Sequence, residues 1–282
     1  MKYAVINQAK GEYPVSRMCE CLGVSESGYY AWVRREPSQR ESEDVELKAI
    51  IVEIWHDSHQ IYGLPRIHAE LADRGLAIGK QRLARLMREA GVQGKMPRRK
   101  RPRTTQSDAK NPIAPNLLNR QFAVDKRNEV WLTDITYIET AEGYLYAAGV
   151  LDLGSRKMVG LAMADHMRTD LTLTALDMAV VQEQPTPGLM HHSDRGSQYT
   201  SADYLQRLAD SGMTASMSRT GNCLDNAPME SFWATLKREC ADQVFASRAE
   251  ARAAIFRYVM GFYNQRRRHS ALGYQSPKSK VA

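Results

Sequence analysis

The order of strand-like and helix-like segments along this sequence predicts an α/β fold, with a mixed five-stranded sheet flanked by helices and preceded by all-α units. From about residue 12 to about residue 93, apolar residues recur at helical spacing. From about residue 120, three β-rich segments follow one another with glycine turns between them, as in an antiparallel meander. Helix-like and strand-like segments then alternate to the C-terminal region, an order that covers both faces of a sheet with helices.

Two helical units are predicted in the N-terminal part. In the first, a helix over Val15–Leu22 leads through a turn to a second helix with Ser25 as N-cap. We expect the aromatic residues of this second helix to lie on its buried face. In the second, LPRIHAELADRG and IGKQRLARLMREAG form two helices, the last closed by Gly91 in a left-handed conformation. Simple helical packing explains such units, but the basic side chains of the last helix lie where a recognition helix contacts DNA, which makes candidates of Lys80, Arg82 and Arg85.

A proline-rich and strongly charged stretch without apolar periodicity separates these units from the α/β part. This stretch contains the cations Arg98, Arg99 and Arg101. The structural interpretation is a solvated linker, and the functional alternative is an arm that follows the phosphates of DNA. The predicted division is a helix-turn-helix-like unit (1–40), a second such unit (41–93), a basic linker (94–118) and an α/β domain with a basic C-terminal helix (119–282).

The elements of the α/β domain are predicted from alternation and length. They are the strands WLTDITYIE, YLYAAGVLDL and KMVGLAMAD, the helix LTLTALDMAVVQ, the strand LMHHSD, the helix ADYLQRLADSG, the strand TASMS, the helix APMESFWATLKREC and the long amphipathic helix AEARAAIFRYVMGFYNQR.

Composition indicates a polyanionic partner and excludes several classes. The 39 basic and 32 acidic residues give a formal net charge of +7, which favours nucleic acid, although many basic proteins bind none. The 4 cysteines lack the spacing of a disulfide framework or a zinc site, and indicate reduced thiols. Because the chain shows no secretory signal and no apolar run of about 18 residues, we expect a cytoplasmic protein that is neither exported nor membrane-embedded.

Three carboxylates are candidates for a metal site because of their positions in the predicted strands and helices. Asp134 lies inside an apolar strand, Asp194 ends another strand, and Glu230 lies one turn into a helix that starts near Asn226. Three oxygen ligands that face one point could hold two Mg²⁺ ions, or Mn²⁺ in their place, and activate water or a 3′-hydroxyl. Each residue alone has an ordinary structural alternative, as an ion-paired or capping side chain.

The neighbours of these carboxylates have simpler interpretations. Asp152 directly precedes a hairpin turn, where aspartate commonly accepts hydrogen bonds from local backbone N–H groups, so we assign it a structural role. His191 and His192 adjoin Asp194, but hard cations prefer oxygen, so we expect them to position the site or contact phosphate. Asn226 is expected to cap the helix of Glu230.

The segments WLTDITYI, HHSDRGSQYTS, DNAPMESFWATLKRE and FYNQRRRHSALGYQSP, in this order and spacing, resemble the second-reading-frame (orfB) transposases of the bacterial insertion-sequence family numbered three. These belong to the DDE group, whose catalytic core is RNase H-like and similar to that of retroviral integrases. The resemblance spans nearly the whole chain and shows no departure at the carboxylates. It implies that Asp134, Asp194 and Glu230 bind the catalytic metal ions.

The resemblance also implies the partners. They are double-stranded DNA, both the terminal inverted repeats of the element and the target, other copies of the chain as a homo-oligomer on DNA, and an upstream partner with a helix-turn-helix and a leucine zipper, made as a fusion. Lys237, two helical turns after Glu230, could grip a phosphate, and Arg266 and Arg267 could contact the DNA backbone or complement a helix C-terminus.

Two other classes of protein fit part of this sequence. A DNA-binding regulator without catalysis would explain the helical units and the charge, but it gives no reason for three carboxylates around one edge. A nuclease of the RNase H type would use the same metal ions, but it would not require two units for recognising DNA ends.

Overall fold

The computed structural model describes residues 2–96, 113–219 and 222–281, and begins with three short helices. They are α1 (Lys2–Ala9), α2 (Val15–Leu22) and α3 (Glu26–Arg34), and Ser25 caps α3 as predicted by accepting a hydrogen bond from Gly28 N at 3.1 Å. Tyr29 is buried against Ile6 and Cys19. The expectation that the aromatic residues are all buried is wrong for Tyr30 and Trp32, which are 45% and 40% exposed. So small a unit buries only one side of α3.

Three longer helices form the second helical unit. They are α4 (Gln39–Asp57), α5 (Leu64–Asp73) and α6 (Lys80–Glu89), and their facing sides bury Ile51, Ile54, Ile67, Leu71 and Leu83. Gly91 follows α6 with φ +67°, the left-handed conformation that the sequence predicts.

A mixed five-stranded sheet forms the centre of the remaining chain and confirms the predicted fold class. Its strands are β1 (Val130–Thr140), β2 (Gly143–Asp152), β3 (Met158–Ala164), β4 (Met190–Ser193) and β5 (Thr214–Met217). They lie in the order β3-β2-β1-β4-β5, the first three antiparallel and the last three parallel.

Helices cover both faces of this sheet. On one face, α7 (Thr169–Glu183) and α8 (Ala202–Asp210) pack on the sheet through one apolar cluster. On the other face, α9 (Ala227–Glu239) and α10 (Arg248–Phe256) pack on it through a second apolar cluster. The sequence predicts one long helix at the end of the chain, but α10 passes into a π-helix at Arg257–Tyr263. The wider turn keeps Tyr258, Val259, Phe262 and Tyr263 buried together.

The remaining elements are short: 3₁₀ helices at Cys223–Asn226 and Ser270–Leu272 and the helix α11 (Pro277–Val281). Across the three described ranges, none of the helices combines the length and the apolar character that crossing a membrane would require.

The second helical unit packs directly on the sheet domain through α5. The hydroxyl of Tyr62 donates to the carbonyl of Arg266 at 3.2 Å and accepts from the backbone N–H of Arg268 at 2.8 Å. The guanidinium of Arg268 is ion-paired with Glu70 and with Asp73. The basic run near the C-terminus therefore serves in part to join α5 to the sheet domain.

Candidate active site

Asp134 lies in the middle of β1, directly opposite Gly149 of β2. Its Oδ1 accepts a hydrogen bond from the backbone N–H of Ile135 at 2.8 Å, which orients the carboxylate. The preceding residue, Thr133, is buried and donates its hydroxyl to the carbonyl of Gly149 at 2.9 Å. Asp134 thus stands on a rigid element, as a metal ligand or a catalytic group requires.

Asp194 follows the last residue of β4, as the sequence predicts, and the register brings it next to Asp134. β4 pairs in parallel with β1, and Leu132 lies beside His192. Two residues further along each strand come Asp134 and Asp194, and neighbouring strands are about 4.8 Å apart. The backbone N–H of Gly196 donates to Asp194 Oδ1 at 2.9 Å and holds the carboxylate in the turn.

Glu230 stands in the first turn of α9, and a glycine allows this helix to approach the sheet. A Cβ at Gly149 would lie 2.8 Å from Met229 Cε and 3.0 Å from the ring of Trp233, so only glycine fits without a shift. Because Gly149 is opposite Asp134, α9 reaches closest to the sheet at the level of the carboxylates. The side chain of Glu230 is exposed.

Asn226 does not cap α9, which corrects the expectation from the sequence. Its Nδ2 donates instead to the carbonyl of Thr133 at 2.9 Å, and the side chain is buried. The physical reason is that β4 pairs with β1 only over Val130–Leu132, so the next carbonyl on that strand needs another donor. Asn226 therefore ties the start of α9 to the residue before Asp134.

The charges of the two other carboxylates affect the protonation of Asp134. Burial, followed by the charge of Asp194 and then that of Glu230, raises the pKa of Asp134 to about 8, against the opposing effects of the Ile135 N–H and of Lys237. Burial also raises the pKa of Asp194, which the N–H of Gly196 counteracts. A cation bound between these groups would relieve both the repulsion and the desolvation.

The donor set suits a hard divalent cation, because it consists of carboxylate oxygens from two strands and a helix. Within the three ranges that the structure describes, no group of three histidine, cysteine, aspartate or glutamate side chains is arranged to hold an ion as it stands. Asp134 and Asp194 lie at neighbouring strands, and the charge of the exposed Glu230 acts on Asp134, so the three side chains are suitable ligands for such an ion.

Asp152 has the structural role that the sequence predicts. Its side chain is 1% exposed and accepts hydrogen bonds at 2.8 Å from the backbone N–H groups of Asn128 and Ser155. It closes the turn between β2 and β3. These contacts agree with the structural role that the sequence assigns to Asp152.

The two histidines before Asp194 position the strands and do not face a phosphate. His192 bonds to the hydroxyls of Ser216 at 2.9 Å and Ser218 at 3.1 Å, and His191 bonds to that of Tyr204 at 3.2 Å. Burial lowers the pKa of His191 to about 3 and that of His192 to about 4, so both rings are neutral at pH 7. The suggested phosphate contact is wrong, because both side chains are inside the protein.

The candidate DNA contacts in the helical unit differ in their surroundings. Lys80 is exposed at the start of α6. Arg82 and Arg85 share the carboxylate of Asp44 at 2.8 Å and 2.5 Å, and each pairs with a further glutamate. These ion pairs compete with any phosphate. The linker candidates Arg98, Arg99 and Arg101 lie outside the described residues.

The candidates near the catalytic domain divide into surface and interior. Lys237 lies over the ring of Tyr137 at 4.6 Å and acts on the charge of Asp134, and Arg266 is exposed. Arg267 is 1% exposed and makes two hydrogen bonds to Glu239, at 2.7 and 2.6 Å. The predicted DNA contact of Arg267 is therefore withdrawn, because its guanidinium has no surface to offer to a phosphate.

The comparisons with known proteins agree with this architecture. Residues 124–223 match the family described as integrase core domain, residues 211–277 match a second family of that description, and residues 41–100 match an HTH-like domain. The insertion element IS600 uncharacterized 31 kDa protein of Shigella sonnei is 48% identical over 261 residues, which are 92% of this chain and 96% of its own. The transposase InsF for insertion sequence IS3A of Escherichia coli (strain K12) is 37% identical over 281 residues, 99% of this chain and 97% of its own.

Among solved structures, the HTLV-2 integrase catalytic core domain in complex with magnesium aligns with 55% of this chain and 97% of its own at a TM-score of 0.41 and 14% identity, which is too distant to carry an argument. The sheet and the matched domains define the class: a DNA-processing enzyme with an integrase core and an HTH-like helical region. Relatives of 37% and 48% identity align with nearly the whole chain. The chain belongs to the IS3 family of insertion-sequence transposases and is a transposase of the DDE type.

Proposed function

We propose that Asp134, Asp194 and Glu230 hold the divalent cations with which this transposase cuts DNA and joins the freed ends. The observation that carries the proposal is the β1–β4 register together with the raised pKa of Asp134, since burial and two neighbouring carboxylates make its charged form costly and a bound cation would offset that cost. Two Mg²⁺ ions, or Mn²⁺ in their place, would when bound activate the attacking hydroxyl and stabilise the leaving oxygen.

The proposed reaction has two steps, hydrolysis of one phosphodiester bond and then exchange of a second for a new one. In the cut, a water oxygen bonds to phosphorus and the bond to the 3′-oxygen breaks, which leaves a 3′-hydroxyl. In the transfer, that hydroxyl bonds to a phosphorus of the target and displaces a target 3′-oxygen. No covalent intermediate with the protein and no outside energy source is needed. Asp134 and Asp194 would contribute by holding the cations in a fixed position, since backbone N–H groups orient both carboxylates.

DNA binding is proposed to involve both halves of the chain. We assign end recognition to the helical units at residues 1–40 and 41–93, with Lys80 as the exposed contact and Arg82 and Arg85 held between acidic groups. The basic linker at residues 94–118, with Arg98, Arg99 and Arg101, would follow the DNA backbone towards the catalytic domain at 119–282. There, Lys237 and Arg266 would contact phosphates next to the cut.

The proposed partners follow from the family. They are the terminal inverted repeats of an insertion sequence, a target duplex, further copies of this chain on the DNA, and an upstream helix-turn-helix and leucine-zipper partner supplied by fusion. The place of action would be bacterial DNA in the cytoplasm.

The test is a reaction with DNA that carries the inverted repeats flanking the gene, in Mg²⁺ and in excess chelator. A transposase gives joined products only with the metal ion. Nicked DNA without joining would indicate a nuclease, and binding without any cut would indicate a regulator. Joining that persists in excess chelator would contradict the metal-dependent mechanism.

A further inference from the structure

Asp225 is a charged residue with no exposed surface, placed directly before α9 in the 3₁₀ helix Cys223–Asn226. Its Oδ1 accepts hydrogen bonds from Arg120 Nε and Arg219 Nη2, both at 2.8 Å. Its Oδ2 accepts from Asn116 Nδ2 at 2.9 Å and from Arg219 N at 3.0 Å and Nε at 2.9 Å. Hydrogen bonds from Arg219, with a further one from Arg120, hold the pKa of Asp225 well below its usual range despite burial. The carboxylate is charged and fully engaged.

The partners of Asp225 come from two separate parts of the chain. Arg219 belongs to the loop after β5, whereas Arg120 and Asn116 belong to the segment at residues 113–122, which leads into the catalytic domain. That segment is itself fastened to the sheet, because the backbone N–H of Leu117 donates to Ser216 Oγ at 3.0 Å. Asp225 therefore joins the segment that comes from the linker to the loop that leads into α9.

The residues that follow Asp225 connect it to the proposed metal ligands. The next residue, Asn226, bonds to the carbonyl of Thr133, the neighbour of Asp134, and Glu230 follows in the first turn of α9. We infer that Asp225 is a positioning residue that fixes the start of α9, holds Glu230 beside Asp134, and thereby sets how tightly the site binds a divalent cation. The inference rests on the proposed function, because it takes Glu230 to be a metal ligand.

A purely structural ion pair would look similar, so the test needs a matched control. Glu183 supplies it: its side chain is 3% exposed and paired with two cations, Arg127 at 2.5 Å and Lys157 at 2.7 Å. It lies at the end of α7, on the other face of the sheet from α9. Glu183→Gln removes the same kind of interaction as Asp225→Asn, in the same domain, without touching the start of α9.

The experiment measures Mn²⁺ binding to the full chain by calorimetry, beside the melting temperature and the kinetics of strand transfer. Asp225→Asn is expected to weaken Mn²⁺ binding about tenfold, which is the usual size of an effect exerted through a ligand's supporting contacts. Its kcat should fall while KM for end DNA is retained. Glu183→Gln should lower the melting temperature by a similar amount and leave Mn²⁺ affinity unchanged. Arg120→Gln, at a residue whose side chain is 40% exposed, should weaken Mn²⁺ binding in the same direction with the fold intact.

The outcomes separate this inference from the proposed function by means of Glu230→Gln. If Glu230→Gln weakens Mn²⁺ binding but Asp225→Asn does not, or if Glu183→Gln weakens it equally, the positioning role is refuted and the proposed function stands. If Glu230→Gln leaves Mn²⁺ binding unchanged, both fall. Should Asp225→Asn fail to fold, Arg120→Gln decides by the same comparison: wild-type Mn²⁺ affinity refutes the inference.

Discussion

Gly149→Ala should damage the active site through packing alone, without altering any charged group. The added Cβ would stand 2.8 Å from Met229 Cε, closer than Cβ atoms are normally found, and 3.0 Å from two ring atoms of Trp233, which is a tight contact. Overpacking of this kind costs about 1–3 kcal/mol, which lowers the melting temperature by about 2–4 °C for each kcal/mol. Met229 Cε is the end of a flexible side chain and can shift, but the Trp233 ring is bulky and both residues belong to α9, so we expect the helix to be displaced from β1 together with Glu230.

The magnitude of the catalytic effect follows from that movement. A displacement of about 1 Å at a positioned group can reduce the rate by about 10²-fold. We therefore expect Gly149→Ala to lower the single-turnover rate of strand transfer by roughly that factor and to weaken Mn²⁺ binding, with binding of end DNA retained. The assay uses precleaved ends, so that only the joining step is measured.

Gly160→Ala provides the control for general destabilisation. There the Cβ would lie 2.0 Å from the carbonyl oxygen of Ala175, on the side of the sheet covered by α7. It should cost at least as much stability, because backbone of a helix is harder to displace than the end of a side chain, and leave Mn²⁺ affinity unchanged in the folded protein. Equal loss of Mn²⁺ affinity in both variants, or none in Gly149→Ala, would refute the reasoning about α9.

Three further predictions concern stability and DNA binding. Glu239→Gln should cost about 3–5 kcal/mol in urea unfolding, because it leaves the buried guanidinium of Arg267 without its counter-charge, and replacing both by apolar residues should recover much of the loss. Burial raises the pKa of Glu239, but the hydrogen bonds and charge of Arg267, together with hydrogen bonds from Arg238 and Tyr258, lower it to about 2. The stabilisation by Glu239 is therefore present above the unfolded pKa of about 4.3 and is lost as the pH falls through about 2. Unfolding followed from about pH 6 to about pH 2 should show no such loss in Glu239→Gln. Lys80→Gln should reduce the slope of log affinity for end DNA against log salt concentration by about one. Arg82→Gln should chiefly lower stability, because it breaks the ion pair with Asp44. A slope that Lys80→Gln leaves unchanged would place that residue away from DNA.

Local patterns in the sequence predicted the regular elements well. Apolar spacing predicted α2 and the helices of the second unit, and the glycine turns predicted the meander from β1 to β3, because each depends on neighbours in the chain. α1 escaped prediction because it buries a single residue, Ile6, and so shows no periodicity. The π-helix at Arg257–Tyr263 cannot be read from spacing that also fits an α-helix.

At the candidate site, the sequence indicated the residues but not the contacts between them. The strand contexts of Asp134 and Asp194 pointed to them, but only the β1–β4 register places them side by side. In the sequence Asp225 is not distinguishable from an ordinary loop aspartate, because its partner Arg120 is distant along the chain and contacts it only in the folded structure. Arg267 looks like its neighbours in a basic run, and only the fold buries it against Glu239. Contacts between distant parts of the chain decide each case.

The most direct test of the account is strand transfer in Mg²⁺ by Asp134→Asn, Asp194→Asn and Glu230→Gln beside Asp152→Asn. Each of the first three changes keeps the shape of the side chain and removes a charge that holds the cations. We predict no joined product from any of them, with end binding retained and a melting temperature equal to or above that of the wild type, because repulsion between like charges is reduced. Asp152→Asn should still join DNA, at some cost in stability, since its carboxylate serves the turn at Ser155. Joining by one of the first three variants, with a folded but inactive Asp152→Asn, would contradict the assignment of the metal ligands.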